Sequence, residues 1–261
     1  MGNPKPSVAN LPAAGASWRP RLVAFDLDGT LTQHKSPMSP EIRAALDSLR
    51  AWGYSLLMAG AGSCARIARQ MENYPIDILG NYGLQYAEWD AAAGAHRQVF
   101  DKRFGCDRES VDRRMAELRR KHGWTPYAGD NVEFHDSGVV TLPVLGTKAA
   151  QADKLAYDPD RAKRRAVYAE VKALFPDFKV FVGGSSSFDM APAPYDKGYA
   201  LEKLCEERGL RKDEALYVGD DYGPGGNDES VLLAGFPFLR IDDFRDTPAA
   251  LLSLLAPPSA S

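Results

Sequence analysis

The sequence predicts an α/β fold in which a parallel sheet flanked by helices is interrupted by an inserted α+β domain with an antiparallel sheet. Short apolar runs at 22–25, 54–59 and 76–79 alternate with helical patterns, as in parallel sheets covered on both faces. Between about 86 and 190, polar and apolar residues alternate and two charged helical stretches intervene, which favours hairpins. Apolar strands return after residue 196, so both ends of the chain are expected to build one sheet.

Capping and turn residues place the elements of this sheet. Ser39 and Pro40 precede an apolar helical stripe, so a helix is expected to begin there and to end before Gly53. Ser39 is the expected N-cap, because its hydroxyl can accept from a backbone N–H of the first turn. The remaining expected elements are helices at 64–71, 196–208 and 248–255 and strands at 215–218 and 238–241.

These patterns divide the chain into a split core and an insert, which we call the cap. The core is expected to comprise residues 20–85 and 190–256, and the cap residues 86–189. The lead, 1–19, and the tail, 257–261, are rich in small residues and proline, and we expect both to be disordered.

Composition limits the classes of partner. The 261 residues include 32 basic and 35 acidic residues, and a net charge of −3 argues against a broad nucleic-acid or membrane footprint. The basic runs at 119–122 and 161–165 are expected to be solvated helix faces. No stretch has the length and apolarity of a membrane span. Three widely spaced cysteines favour reduced thiols, so we expect a cytoplasmic location.

The first apolar run ends in two carboxylates, Asp26 and Asp28, followed by Gly29. Side chains at i and i+2 of a strand point to the same side, so both acids are expected at the strand's carboxyl end, where open α/β sheets bind ligands. Two such acids repel each other. The arrangement is tolerable when a cation lies between them or when the two acids have different roles. The alternative is an acidic turn in which Asp26 is only a cap.

Three further positions repeat this polar pattern. Ser63 precedes a helix, where a hydroxyl and backbone N–H groups can bind phosphate; a plain N-cap is the alternative, and both roles can hold together. Asp220 and Asp221 follow an apolar strand, as Asp26 does. Lys197 begins a helix and, taken alone, is most simply a solvated residue.

The run Phe25-Asp26-Leu27-Asp28-Gly29-Thr30-Leu31 resembles the signature of the haloacid dehalogenase phosphotransferase superfamily. The resemblance implies a Rossmann-like core, an attacking carboxylate at Asp26 and a proton-shuttling acid at Asp28. It also implies Mg²⁺ as cofactor. The matching residues are Asp26 and Asp28 in the first motif, Gly62 and Ser63 in the second, Lys197 in the third, and Asp220 and Asp221 in the fourth.

The chemistry of these residue types agrees with the resemblance. A carboxylate can form an acyl phosphate, and a neighbouring acid can protonate the leaving oxygen and then activate water. A lysine near the phosphate stabilises the transferring charge. The resemblance implies that Mg²⁺ is held by Asp26, the backbone carbonyl of Asp28 and Asp220, with Asp221 in support, and oxygen ligands of this kind suit Mg²⁺.

From 21 to 255 the chain is similar to eukaryotic-type phosphomannomutases, most closely at 219–228. The similarity implies an α/β cap in which Ser187 and Asp189 hold sugar hydroxyls. Asn227 of the fourth motif is assigned to substrate binding on the same ground. The expected partner is therefore a small phosphate ester, and a homodimer through the cap is left open.

The chain departs from that family where arginines hold the substrate's distal phosphate. His135, Thr147 and Lys154 stand at or near three of those positions, and Lys35 aligns with a fourth. His, Thr and Lys lack the planar, bidentate geometry of arginine. We retain Lys35, His135, Thr147 and Lys148 as candidate substrate-binding residues, although a lone histidine is commonly structural.

These departures favour hydrolysis over isomerisation. A mutase must grip both ends of a bisphosphate in turn, whereas a phosphatase needs one phosphate and a path for water. We therefore expect a Mg²⁺-dependent phosphatase of hexose phosphates that forms an aspartyl-phosphate on Asp26. A phosphohexomutase with the same intermediate and a non-catalytic sugar-phosphate sensor are the alternatives.

Overall fold

The computed structural model describes residues 8–10, 18–33 and 36–255. The strands are β1 (Val8–Ala9), β2 (Leu22–Phe25), β3 (Ser55–Ala59), β4 (Asp77–Gly80), β5 (Gln85–Asp90), β6 (Ala95–Asp101), β7 (Glu133–Phe134), β8 (Val140–Pro143), β9 (Phe178–Phe181), β10 (Ser187–Pro192), β11 (Ala215–Gly219) and β12 (Phe238–Arg240). The helices are α1 (Pro40–Ala51), α2 (Cys64–Gln70), α3 (Arg108–His122), α4 (Gln151–Tyr157), α5 (Ala162–Leu174), α6 (Lys197–Glu207), α7 (Glu229–Leu233) and α8 (Thr247–Ser253). Within those residues, every helix is too short or too polar to cross a membrane.

One sheet has the strand order β1-β12-β11-β2-β3-β4-β5-β6, and its five middle strands, β12 to β4, run parallel. Strand β2 is fully buried because helices cover both faces of the sheet. Val23 and Phe25 pack in the layer of α1, α2 and α8, whereas Leu22 and Ala24 pack in the layer of α6 and α7. The predicted α/β core is confirmed, and its centre is the strand that ends at Asp26.

The predicted start of α1 is also confirmed. Ser39 has extended backbone angles, and its hydroxyl accepts a hydrogen bond from the backbone N–H of Ile42 at 3.3 Å. Pro40 occupies the first turn, where its missing N–H costs nothing.

The chain divides into two compact units whose boundaries differ from the predicted ones. Within the described residues, the core unit runs to Asp101 and also includes Lys197–Tyr222 and the chain from Asp228 on. The cap unit comprises Lys102–Asp196 and Gly223–Asn227. The hairpin β5–β6 had been expected in the cap because of its alternating pattern. Its strand β5 instead pairs antiparallel with β4, so the alternation reflects the edge of the core sheet.

The expectation of a disordered lead is wrong for residues 8–10. Val8 and Ala9 pair antiparallel with Leu239 and Phe238 of β12. The side-chain amide of Asn10 donates to two carbonyl oxygens at 3.0 Å each, those of Leu232 and Phe236. These backbone partners explain why residues 8–10 are held against the sheet, since two small apolar residues bury little surface of their own. Residues 1–7, 11–17 and 256–261 lie outside the described part, so the prediction for them is untested.

The cap unit contains an antiparallel sheet with the strand order β7-β8-β10-β9, as predicted for an α+β insert. One face of this sheet packs on α3 and α5; Val140 and Phe188 contribute to that apolar core. Because side chains alternate along a strand, Thr141 and Asp189 lie on the opposite face, where the register pairs them directly.

Two arginines expected on solvated helix faces are instead buried, with 2% of Arg119 and 1% of Arg164 exposed. The Arg119 guanidinium donates to the carbonyl oxygens of Pro143 and Val144 and to the side-chain oxygen of Asn131. Arg164 pairs with the buried Asp158, with 2.8 Å between Nε and Oδ2. A guanidinium carries five N–H groups, so it can satisfy several loop carbonyls that water cannot reach.

Replacing Arg119 by Met should therefore destabilise the protein far more than replacing its exposed neighbour Arg120 by Met. The first change removes the buried guanidinium that donates to the Val144 carbonyl oxygen and to the Asn131 side chain, and we expect a loss of about 3 kcal/mol in the free energy of unfolding. The second should change it by less than about 0.5 kcal/mol. Urea denaturation of both variants measures the difference; equal losses would contradict the structural role of Arg119.

Candidate active site

Two acids lie at the carboxyl ends of neighbouring parallel strands, as predicted. Asp26 follows β2 and Asp220 follows β11, and these strands pair in register, with Phe25 opposite Val218. The backbone N–H of Asp26 donates to the carbonyl oxygen of Val218 at 2.9 Å, which continues the ladder and fixes the start of the acidic turn. Asp26 is buried, with 5% of its surface exposed.

Lys197 is the cation that faces Asp26. Its Nζ lies 2.5 Å from Oδ1 of Asp26 and 2.7 Å from Oδ1 of Asp228, and its side chain is 1% exposed. Burial alone would lower the pKa of Lys197, but the carboxylates of Asp228 and Asp26 outweigh it and hold that pKa above its ordinary value. Lys197 is therefore a buried, charged residue, which excludes the alternative of a solvated helix start.

Asp228 was not predicted as a site residue, since an Asn-Asp pair after glycines is also typical of a turn. The structure makes it the group that orients Lys197. Its Oδ1 also accepts from the Tyr217 hydroxyl at 2.6 Å, and its Oδ2 accepts from the backbone N–H of Asp221 at 3.0 Å. The signal in the sequence was its place in the fourth motif, directly after Asn227, as an acid to which no role was assigned.

Asp26, Asp220 and Asp228 form an acidic cluster in which one carboxylate oxygen from each lies within 4.8 Å of the others. Burial raises the pKa of Asp26 well above its ordinary value, and the Asp228 and Asp220 charges add to that effect while Lys197 opposes it. Burial and the Asp228 charge raise the pKa of Asp220 to about 6. Oxygen donors with this excess of negative charge can hold a divalent cation.

The turn after β2 is shaped to admit the Asp220 carboxylate. The hydroxyl of Thr30 donates to Oδ1 of Asp220 at 2.8 Å. Gly29 has φ of +102°, and a Cβ there would lie 2.5 Å from Oδ2 of Asp220. The glycine is thus required both by its backbone conformation and by the approach of the carboxylate.

Asp28 has different partners from Asp26. Its Oδ1 accepts from the side-chain amide of Gln70 at 2.7 Å, and its Oδ2 accepts from Arg66 Nη2 at 3.3 Å. Both donors lie on α2, and the sequence reading missed both. Their spacing of four residues on one helix face was the available signal.

Ser63 is the N-cap of α2, and its hydroxyl accepts from the backbone N–H of Arg66 at 3.2 Å. Its capping role is confirmed. A Cβ at Gly62 would lie 2.2 Å from Nε of Arg66, so this glycine leaves room for the arginine side chain. The predicted role of both residues in phosphate binding remains a prediction.

In the cap unit, three polar side chains form a hydrogen-bonded row on the open face of the sheet. The hydroxyl of Thr141 donates to Oδ1 of Asp189 at 3.1 Å, and Nε2 of His135 lies 3.1 Å from the same hydroxyl oxygen. Ser187 lies further along β10, and its hydroxyl donates to the carbonyl oxygen of Gly183 at 3.2 Å. The structure thus brings His135 close to Asp189 and adds Thr141, which the sequence reading missed.

Among the other cap residues considered from the sequence, Thr147 and Lys154 form hydrogen bonds with neighbours in the cap unit. The Thr147 hydroxyl donates to Asp130 at 3.1 Å and accepts from the Asp130 backbone N–H at 2.8 Å. Lys154 Nζ donates to the Thr147 carbonyl oxygen at 3.1 Å. Lys148 is exposed, and Asn227 is half-buried in the 223–227 loop of the cap unit. The predicted residue Lys35 lies outside the described residues.

Comparison with known proteins gives a family model, curated relatives and solved structures that resemble this chain. A family model described as haloacid dehalogenase-like hydrolase matches residues 20–223. A phosphomannomutase of Saccharomyces cerevisiae is 26% identical over 230 residues, which cover 81% of this chain and 85% of the yeast protein. A probable phosphomannomutase of Caenorhabditis elegans is 24% identical over 226 residues, covering 80% and 85%.

A solved structure of the Plasmodium falciparum IMP-nucleotidase has a similar fold, with a TM-score of 0.63. The two chains are 14% identical, and the match covers 91% of this chain and 68% of the other. At that identity the likeness concerns the fold alone. Since the family model spans most of its length, this chain belongs to the haloacid dehalogenase-like hydrolases, and within that superfamily it resembles the phosphomannomutases.

Proposed function

We propose that this protein is a magnesium-dependent phosphatase of hexose phosphates that works through an aspartyl-phosphate on Asp26. The observation that carries the proposal is the buried ammonium of Lys197, held 2.5 Å from the Asp26 carboxylate by Asp228. A carboxylate at the end of a central strand, with a fixed cation beside it, is suited to attack a phosphorus atom whose oxygens carry negative charge.

In the proposed first step, an oxygen of Asp26 attacks phosphorus while the bond from phosphorus to the sugar oxygen breaks. Lys197 opposes the effect of burial on the pKa of Asp26, which favours the ionised nucleophile, and it stabilises charge on the phosphoryl oxygens. Asp28 gives its proton to the departing sugar oxygen. In the second step, Asp28 takes a proton from water as the water oxygen attacks phosphorus, and inorganic phosphate leaves Asp26.

The acidic cluster fits Mg²⁺. Its donors are all oxygens, and burial together with the Asp228 charge raises the pKa of Asp220, an effect that a bound cation would offset. Asp26, Asp220 and the backbone carbonyl of Asp28 are the proposed ligands, and Asp221 supports them from its buried position. When bound, Mg²⁺ supplies positive charge that offsets the charge of the transferring phosphoryl group. Asp228 is already engaged by Lys197 and Tyr217, so we assign it to Lys197.

The remaining predicted residues keep their proposed roles in binding. Ser63 and Gly62 are proposed to contact the transferring phosphate, and Lys35 and Asn227 other parts of the substrate. In the cap unit, the row of His135, Thr141 and Asp189, together with Ser187, presents the mixed donors and acceptors that sugar hydroxyls need. These polar groups favour a polyol phosphate as the substrate class.

Hydrolysis is favoured over isomerisation by the partners of Thr147 and Lys154. These residues stand where the mutases carry phosphate-binding arginines, but the Thr147 hydroxyl is engaged by Asp130 and the Lys154 ammonium by a backbone carbonyl. A second grip on a bisphosphate would require breaking these bonds. The phosphohexomutase alternative rests on the names of the curated relatives and shares the same intermediate.

The products of the reaction decide between the two functions. Purified protein is given mannose 1-phosphate or glucose 1-phosphate with Mg²⁺, with and without a hexose bisphosphate, and the products are followed by phosphorus NMR. We expect inorganic phosphate as the main product in both conditions. A hexose 6-phosphate that forms only with the bisphosphate, with little free phosphate, would identify a mutase instead.

Replacing Asp26 by Asn should lower turnover by about 10³-fold or more, because the amide cannot act as the nucleophile. Asp47 is exposed on α1 of the same unit, and Asp47→Asn provides a matched control with unchanged turnover. Phosphate release and thermal denaturation are measured for both variants. Asp26→Asn with activity near that of the control would exclude the aspartyl-phosphate mechanism.

Asp220→Asn should have opposite effects on the stability of the metal-free protein and on its stabilisation by Mg²⁺. The folded-state pKa of Asp220, about 6, exceeds the ordinary 3.8, so its stabilising contribution is lost as pH rises through that value. At pH 7.5 without metal, the substitution should therefore raise Tm by removing a repelling charge.

Added Mg²⁺ should raise the Tm of the unmodified protein increasingly with Mg²⁺ concentration, whereas the variant should respond weakly. Thermal denaturation with chelator and with Mg²⁺ measures both effects. The same Mg²⁺-induced shift in the variant would remove Asp220 from the ligand set.

A further inference from the structure

We propose that Gln70 and Arg66 of α2 are positioning residues that hold the Asp28 carboxylate for proton transfer to poor leaving groups. The inference rests on the proposed function, since it assumes that Asp28 is the proton donor. It adds two residues from outside the acidic motifs to that reaction, and it predicts which substrates depend on them.

The two donors hold both oxygens of Asp28. Gln70 Nε2 lies 2.7 Å from Oδ1, and Arg66 Nη2 lies 3.3 Å from Oδ2. A carboxylate held at one oxygen can still rotate, whereas donors at both oxygens fix the plane of the group. Because the donors are one helical turn apart, a single rigid element sets that plane.

The orientation of the Gln70 amide follows from its other partner. Arg66 Nη1 lies 3.1 Å from Oε1 of Gln70. A guanidinium can only donate, so the amide oxygen must face Arg66 and the NH₂ group must face Asp28. Arg66 thus acts on Asp28 both directly and through Gln70.

The same NH₂ group anchors the chain that follows the nucleophile. Nε2 of Gln70 also lies 3.1 Å from the hydroxyl of Thr32 and 3.1 Å from the carbonyl oxygen of Ser36. The amide thus accepts from Arg66 of α2 through its oxygen and donates to the segment after β2 through its nitrogen. Gly62 completes the arrangement, because any side chain there would meet Arg66.

An ordinary structural ion pair does not account for this geometry. The Arg66 side chain is 37% exposed, and a pair of that kind contributes about 1 kcal/mol or less to stability. Asp28 is separated from Asp26 by a single residue, yet Asp26 is bound by Lys197 and Asp28 by Gln70 and Arg66. In these contacts the two acids have different donors, as two different tasks require.

The chemistry predicts a dependence on the leaving group. A hexose oxygen is a poor leaving group, so the electron pair of the breaking bond must be met by the Asp28 proton. p-Nitrophenol is acidic enough that its anion leaves without that proton. Misplacing Asp28 should therefore slow transfer from a hexose phosphate and spare transfer from p-nitrophenyl phosphate.

The test compares Gln70→Met with Arg69→Met, the latter an exposed position next to it on the same helix. With the hexose phosphate that the protein hydrolyses best, kcat/KM of Gln70→Met should fall about 10²-fold. With p-nitrophenyl phosphate, kcat/KM should stay near that of the unmodified protein. A burst of p-nitrophenol should appear in this variant, because the aspartyl-phosphate forms but its hydrolysis still needs Asp28. Arg69→Met should change neither substrate.

Equal losses in kcat/KM with both substrates, or no loss with either, would overturn the inference while leaving phosphatase activity established. Inactivity of the unmodified protein towards every phosphate ester would instead overturn the proposed function. A crystal structure of Gln70→Met then decides the positioning itself. The Asp28 carboxylate should leave its original rotamer there and keep it in Arg69→Met; an unmoved carboxylate in Gln70→Met would contradict the inference.

Discussion

The buried ammonium of Lys197 between Asp26 and Asp228 is the interaction on which the rest of the site depends. Removing one charge of such a group leaves the others buried and unpaired, which costs several kcal/mol. The three residues come from the end of β2, the start of α6 and the chain just before α7. Their meeting requires β2 and β11 to lie side by side in register. The sheet therefore brings these charged residues, which are distant along the chain, together at one edge.

Much of this arrangement could be predicted from the sequence, because the carboxyl ends of parallel strands lie at the same edge of a sheet. Asp26 and Asp220 meet as expected. The role of Asp228 could not be predicted, since it depends on Lys197 and Tyr217 converging from elsewhere in the chain. Gln70 was hidden for the same reason, as its partner is Asp28, 42 residues away.

The errors in the fold prediction have a common physical origin. Alternation at 85–101 is shared by hairpins of any sheet, so it could not show that β5 extends the core. A basic run is usually solvated, and no local pattern distinguishes Arg119 or Arg164 from their exposed neighbours. Burial of these arginines depends on loop carbonyls that face inward only in the folded cap. Tertiary contacts thus determine which sheet β5 joins and which arginines are buried, and local sequence patterns do not.

The short strand β1 has a consequence for association between molecules. Val8 and Ala9 occupy the backbone hydrogen-bonding groups along the outer side of β12. Without them, Phe238 and Leu239 would present unpaired N–H and C=O groups at the sheet's edge, next to a largely apolar strand. Such an edge is a template for pairing with a second chain, and proteins usually cover it. By pairing with β12, Val8 and Ala9 thereby cover an edge of the core sheet at which a second chain could otherwise add a strand.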